Sequence, residues 1–417
     1  MIRRLLPVFL AVVMGFISGC SGLRNYARMT DQARLSISQG RFEDALAVYP
    51  ESMAKGKDEV LIRLERATLL QAAGKYNESA AEFESAASRI REYEGSAVIS
   101  ATRTASQIGS LLLNEQVLSY EGEDYEKILI HALNSVNYLM RGDLEGARVE
   151  IRVAYQRQNE LYEKHAKELE KGKKENSTMS WEKSYQDADR SGYDEVKKKA
   201  DLVQSIYQNA FAYYVSSLVY ELGKEDDEAY IDLKKGIQAA PWSTCMQKDL
   251  LRLSRKLGFD EDAGMWKARY GDVPKGYGTG VDVFVVFQYG LAPVKEQLNL
   301  PILLSQGGIA FASLPVYRFI PSKVNGARIA ADDMTAEASM VSDIDAMAAR
   351  NLIDEFPVIF AKQVVRTTFK ASMTNKLSRD YGAIGAITGT LASAVSEQAD
   401  LRSWTTLPKG IPVSYTH

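Results

Sequence analysis

The chain has 417 residues and a formal net charge of −3, with 51 Lys and Arg against 54 Asp and Glu. That balance lacks the basic field that releases phosphate counterions, so nucleic acid is not an expected partner. The length allows two or three domains.

Arg3 and Arg4 precede an uncharged apolar run, Leu5 to Ile17. This is the build of a secretory signal peptide, and it is shorter than the roughly 20 apolar residues a membrane span needs. The run ends in Ile17-Ser18-Gly19-Cys20, which resembles the bacterial lipobox. The resemblance implies that residues 1–20 are a leader and that Cys20 is the lipid attachment site and mature N-terminus. Ser21 stands where an inner-membrane retention signal would place Asp, so the resemblance further implies an outer-membrane lipoprotein facing the periplasm. Cys245 is then the one remaining cysteine and is expected to be a small buried hydrophobe.

Residues 21–272 read as a helical repeat domain. Gly40-Arg-Phe42-Glu-Asp-Ala45, Gly74-Lys-Tyr76-Asn-Glu-Ser79-Ala80, Gly142-Asp-Leu144-Glu-Gly-Ala147 and Gly223-Lys-Glu-Asp-Asp-Glu228-Ala229 share one pattern. The first three glycines are 34 and 68 residues apart, one and two periods of a tetratricopeptide unit. Gly suits the left-handed cap that ends one helix, and Ala lets the next approach closely. Apolar residues at helical spacing, such as Leu64, Ala67 and Leu70, supply the packing face. Ile108 to Tyr155 continues the helical pattern, and Tyr207, Tyr213, Tyr214 and Tyr220 read as filler between helices. Glu163 to Asp201 departs from the period with ten basic and ten acidic residues. It reads as an insertion at about 163–201, two solvated helix extensions joined by a loop from Gly172 to Ser180.

After Tyr270 the pattern changes. Gly271, Pro274, Gly276, Gly278 and Gly280 mark a linker, and residues 278–417 read as a smaller α+β domain. Val281 to Gln288, apolar on nearly both faces, predicts a central strand. Pro301 to Leu304 and Ile309 to Ile320 predict shorter strands around Gly307-Gly308. Ser342 is expected to cap a helix to about Glu355, and Pro357 to open another, with Val365, Phe369, Met373 and Leu377 as its inner face. Tyr381 to Ser396 carries no charge and holds Gly385 and Gly389, which predicts a closely packed internal helix. Ala399 to Ile411 predicts a strand or strand entry with Trp404 as a core plug.

Two stretches, "ADLRSWTTLP" in the tail and "YEGEDYEKILIHALNSVNYLMRGDLEGARVEIR" from Tyr120 to Arg152, are similar to an uncharacterised family of bacterial tetratricopeptide-repeat outer-membrane lipoproteins. Members are often encoded near lipoproteins resembling activators of penicillin-binding proteins. The resemblance implies an outer-membrane lipoprotein and no assigned activity. In that family the chain runs on into a further strand, whereas Val413-Ser-Tyr-Thr-His417 resembles translated adapter sequence, so a truncated C-terminal domain lacking an edge strand is expected.

The fold class expected is therefore mostly α, a TPR-like α-solenoid followed by a smaller α+β domain. No catalytic, cofactor or metal site is expected. His131, His165 and His417 are scattered, and neither a zinc-protease motif nor a phosphate loop occurs. Ser52-Met-Ala-Lys55 and Ser180-Trp-Glu-Lys183 match S-x-x-K without its companion motifs, at about the two matches chance provides. Asp332-Asp333 reads as a solvated turn. The expected function is a lipid-anchored periplasmic scaffold that binds protein partners in cell-envelope assembly. The alternative is a self-associating structural subunit of an envelope or secretion complex.

Overall fold

A computed structural model describes residues 29–101, 118–175, 193–274, 277, 283–303, 309–324, 326–331, 334–396 and 398–416. The leader, Cys20, Gly276, Gly278, Gly280, Gly307-Gly308, Asp332-Asp333 and Ser180 to Lys183 lie outside the described residues.

Helices α1 (29–38) and α2 (Phe42–Ala47) form the first unit, followed by α3 (Glu59–Ala72) with α4 (Tyr76–Ala101) and α5 (Asp124–Met140) with α6 (Leu144–Glu175). Beyond α7 (Asp194–Ala200) come α8 (Ala210–Leu222) with α9 (Asp226–Ala239) and α10 (Thr244–Lys256) with α11 (Asp260–Tyr270). All five turns close alike. One residue adopts a left-handed conformation: Gly40, Gly74, Gly142, Gly258, or Lys224 at φ +61°. The next amide donates back across the helix end at 2.8–2.9 Å: Arg41 to Ser36 O, Lys75 to Leu70 O, Asp143 to Tyr138 O, Glu225 to Tyr220 O, and Phe259 to Ser254 O. This hydrogen bond is the signature of a Schellman cap. Five residues after each left-handed position a small buried side chain, Ala45, Ser79, Ala147, Ala229 or Ala263, lets the paired helix approach. The chain is thus a TPR-like helical array.

The register corrects the fourth match. Gly223 is right-handed at its own position, and Lys224 makes the turn. Counted from Lys224, a fifth unit begins 34 residues later at Gly258.

The strand-containing part follows the array in sequence and packs against its helices. Strand β1 (Val283–Val286), the hairpin β2 (Val294–Leu303) with β3 (Ile309–Arg318), the hairpin β4 (Arg328–Ala331) with β5 (Met334–Glu337), β6 (Ser339–Asp343), the long helix α12 (Ile344–Ser396) and β7 (Gly410–Thr416) follow in order. A three-stranded antiparallel sheet runs β1-β7-β6. The central strand is therefore β7, and Val283–Val286 is an edge. Pro412 cannot donate to a ladder, and it sits where a bulge between Met340 and Ser342 shifts the register.

Three other expectations change. Ser342 lies buried in β6, and the α12 cap is Asp343, whose Oδ1 accepts from Ala346 N at 3.0 Å. Pro357 opens no second helix: α12 continues through it and breaks its geometry only at Gly382. The buried Phe356 and Phe360 flanking Pro357 anchor the helix across the missing hydrogen bond. The inward face carries Phe356, Phe360, Gln363 and Thr367, while Val365 and Phe369 are exposed. The side chains of Met373, Leu377 and residues 383–396 lie outside the described residues. The charged stretch before Asp201 is not wholly solvated either. Tyr193, Val196 and Ala200 are buried as α7 packs on α12.

One apolar core joins both parts, from Leu64, Phe83 and Leu129 through Phe211 and Leu250 to Trp404 and Ile411.

Candidate functional site

The inner faces of a repeat array are where partner segments usually lie. Here the cradle is already filled by the chain itself. Segment 400–407 is threaded against α3 and α5, held by side chains that read its main chain. The Glu65 carboxylate accepts from Thr405 N at 2.9 Å, Thr405 Oγ1 at 2.8 Å and Thr406 N at 2.8 Å. From the other side Arg34 donates to Thr405 O and to Ala292 O, each at 3.1 Å. Glu126 Oε1 accepts from Trp404 N at 3.0 Å.

Trp404 is fully buried, with its ring edge-on to Phe83 at 5.8 Å and Nε1 donating to Thr68 Oγ1 at 2.8 Å. Arg402 donates to Asp400, to Asp58 Oδ1 at 2.8 Å and to Leu118 O at 3.1 Å. Glu65 and Glu126 interrupt otherwise apolar helical faces because their oxygens replace water for these donors.

Next to this clasp is a cluster of carboxylates. Glu123 pairs with the buried Lys295 of β2 and accepts from Asn351 Nδ2 at 2.8 Å. Burial and the neighbouring Glu123 push the Glu126 carboxyl up to about 7, against the hydrogen bonds from Tyr120 and Trp404 N. Burial, Glu123 and Asp124 push Glu355 up to about 8. For Lys295 burial works the other way, but Glu123 and Tyr317 outweigh it and hold the ammonium well above its ordinary range.

At the other end of the array the contacts are of a different kind. The Phe284 ring of β1 meets Tyr214 at 6.4 Å. Trp242 Nε1 donates to Met340 O at 3.1 Å, and Ser339 Oγ accepts from Thr244 N at 3.0 Å. Cys245 is buried beside Tyr214 OH at 3.0 Å, with Asp249 next to both. Burial pushes the Asp249 carboxyl up to about 7, against the pull of Arg252.

Of the residues singled out in the sequence, Ser52 and Lys55 are exposed on a surface turn with no converging partner. His131 is buried with Nδ1 2.6 Å from Glu150 Oε2, and His165 lies against Tyr207. Tyr207, Tyr213 and Tyr214 are buried packing residues. Among the described residues no group of His, Cys, Asp and Glu could hold a metal ion. Two hollows among them, near Lys127 and near Asn209, admit about 10 and 20 Å³, room for about one water each. The sequence reading missed Glu65, Glu126 and Arg34. The one local signal was a Glu at the centre of Val60-Leu-Ile-Arg-Leu-Glu-Arg-Ala-Thr-Leu-Leu70.

No family model matches the chain, and no curated protein matches it. Among solved structures it is similar to MamA, with a TM-score of 0.33 and 11% identity over 57% of this chain and 91% of that one. It is also similar to BtubC from P. vanneervenii, with a TM-score of 0.36 and 12% identity over 64% and 90%. A thermophilic TPR protein from Thermus thermophilus gives a TM-score of 0.29 and 12% identity over 58% and 89%. The fold assignment rests on the five caps and their spacing.

Proposed function

We propose that the chain is a non-catalytic scaffold of the bacterial envelope, attached to the outer membrane through acyl chains on Cys20 and facing the periplasm, where it binds protein partners. The leader pattern and lipobox support the address. The observation that carries the scaffold reading is the filled cradle. The array spends its inner face on holding segment 400–407 and the sheet, so it presents a rigid, pre-assembled surface. Partner contact then falls to the outer helices, where Tyr155 and Tyr162 of α6 stand exposed. Aromatic side chains of this kind are favoured anchors of protein interfaces.

Two measurements test the reading. Metabolic labelling with palmitate should mark the chain and lose the mark in Cys20→Ala; label that survives the substitution removes the anchor. A photo-crosslinker placed at Tyr162 should trap a distinct protein in intact cells, whereas one placed at the buried Thr68 should not. A ladder of self-adducts from Tyr162 would instead favour the self-associating subunit.

A further inference from the structure

The outward face of α12 has no counterpart in the array. Val358, Val365 and Phe369 lie on one side of the helix, 43%, 47% and 45% exposed, directly opposite the buried Phe356, Phe360, Gln363 and Thr367. The same side carries Lys362, Ser372, Lys376 and Arg379, with Lys376 and Arg379 exposed. From Val358 to Asp380 the sequence contains five Lys or Arg, of which Arg366 is buried, and one acid, the exposed Asp380, although the whole chain is net negative at −3. An exposed apolar row flanked by a predominantly cationic row is the composition of a helix lying on an anionic lipid surface.

The adjoining hairpin extends the surface. Tyr193 OH donates to Pro315 O, and its ring meets Phe356 at 5.1 Å, which ties β3 to α12 at one level. From that level Phe311 is four residues out along the strand, about 14 Å. Val365 is nine residues out along the helix, also about 14 Å. Phe311 on the same hairpin is 56% exposed. No helix among the described residues is long and apolar enough to cross a membrane, which fits contact with its surface.

We infer that the face of α12 bearing Val358, Val365, Phe369, Lys376 and Arg379 docks on an anionic lipid leaflet. The occupant is chosen by charge: Lys362, Lys376 and Arg379 outnumber the single acid Asp380 on this face and match lipid phosphates, and a second copy of this chain, net negative but presenting the same basic face, does not. This contact is independent of the Cys20 anchor and would hold the body down on the membrane rather than tethering it.

The test is an environment-sensitive fluorophore on Ser372→Cys of the full chain carrying Cys20→Ala, with a control on Glu261→Cys of α11 in the same background; Cys245, the one other cysteine, is buried and stays unlabelled. Vesicles containing phosphatidylglycerol should shift emission to the blue at 372 and not at 261, and the shift should weaken with salt. Lys376→Glu with Arg379→Glu should lower vesicle affinity on the order of tenfold. Phe369→Asp should lower it in a variant whose circular dichroism is unchanged. No shift at 372, or an equal shift on phosphatidylcholine vesicles, overturns the inference. A shift without vesicles that grows with protein concentration overturns it in favour of a second copy. Palmitate labelling at Cys20 reports the anchor separately, so failure of one reading is distinguishable from failure of the other.

Discussion

The two ends of the array hold the same C-terminal part by different physics. At the α1–α5 end, carboxylates and a guanidinium read main-chain groups of Trp404, Thr405 and Thr406. At the α8–α11 end, rings and single hydrogen bonds lie against β1 and β6. The first kind fixes register, because a one-residue slip would leave several buried donors without acceptors. The second tolerates small shifts, because apolar contact is non-directional. One end locates the inserted segment, and the other supports it.

The sharpest way to break this contrast is Trp404→Ala. It removes a fully buried side chain from the locating end and should cost about 3–5 kcal/mol in urea unfolding. A loss below about 1 kcal/mol would mean the segment is not seated. Glu65→Ala removes the acceptor of three donors and should cost about 3 kcal/mol, with faster proteolysis near residue 405 as the local readout.

Acidity sharpens the contrast next. Glu126 and Glu355 titrate near 7 and 8 in the folded chain, above about 4.3 for an unfolded Glu. Folding therefore takes up protons between those limits. Stability from this cluster is fully present below about pH 4 and declines as pH rises toward 8. For Glu355 burial drives the effect, Glu123 and Asp124 add to it, and Lys295 and Lys127 oppose it. The melting temperature should fall from pH 5 to pH 8, and Glu355→Gln should flatten the fall. Asp249 adds a like slope at the supporting end, so an unchanged slope in Glu355→Gln would leave the effect to Glu126 and Asp249.

At the supporting end Trp242→Phe, half-exposed and losing one hydrogen bond, should cost no more than about 1 kcal/mol. Smallest is Lys224→Gly. A left-handed Lys is strained by about 1–2 kcal/mol, partly offset by the freedom Gly loses on folding, so the variant should be slightly more stable. A destabilised variant would show that the Lys224 side chain matters more than its backbone.

Much of the array was legible, because a left-handed cap needs Gly and a close helix pair needs Ala, and both recur at fixed spacing. The fifth unit was hidden for the same reason: at Lys224 the cap is made without Gly, so counting from Gly223 shifted the register and obscured Gly258 to Ala263. Trp404 was legible as a core residue. Its surroundings were not, since Glu65 and Glu126 are helical glutamates whose partners lie 340 and 278 residues away. The middle strand was legible only as a strand entry over Ala399 to Ile411, because Val413 to His417 was read as adapter-like sequence; the strand runs Gly410–Thr416, and the bulge opposite Pro412 makes a proline acceptable there.

The bond between Glu65 and Thr405 also sets an order of events. The closure spans 340 residues, so during synthesis from the N-terminus the first repeats emerge with Glu65 and the slot for Trp404 open to water before residues near 405 arrive. During that interval the half-built array is at its most vulnerable to association with other chains. Refolding should accordingly show an early helical phase and a much later one reported by quenching or shielding of Trp404.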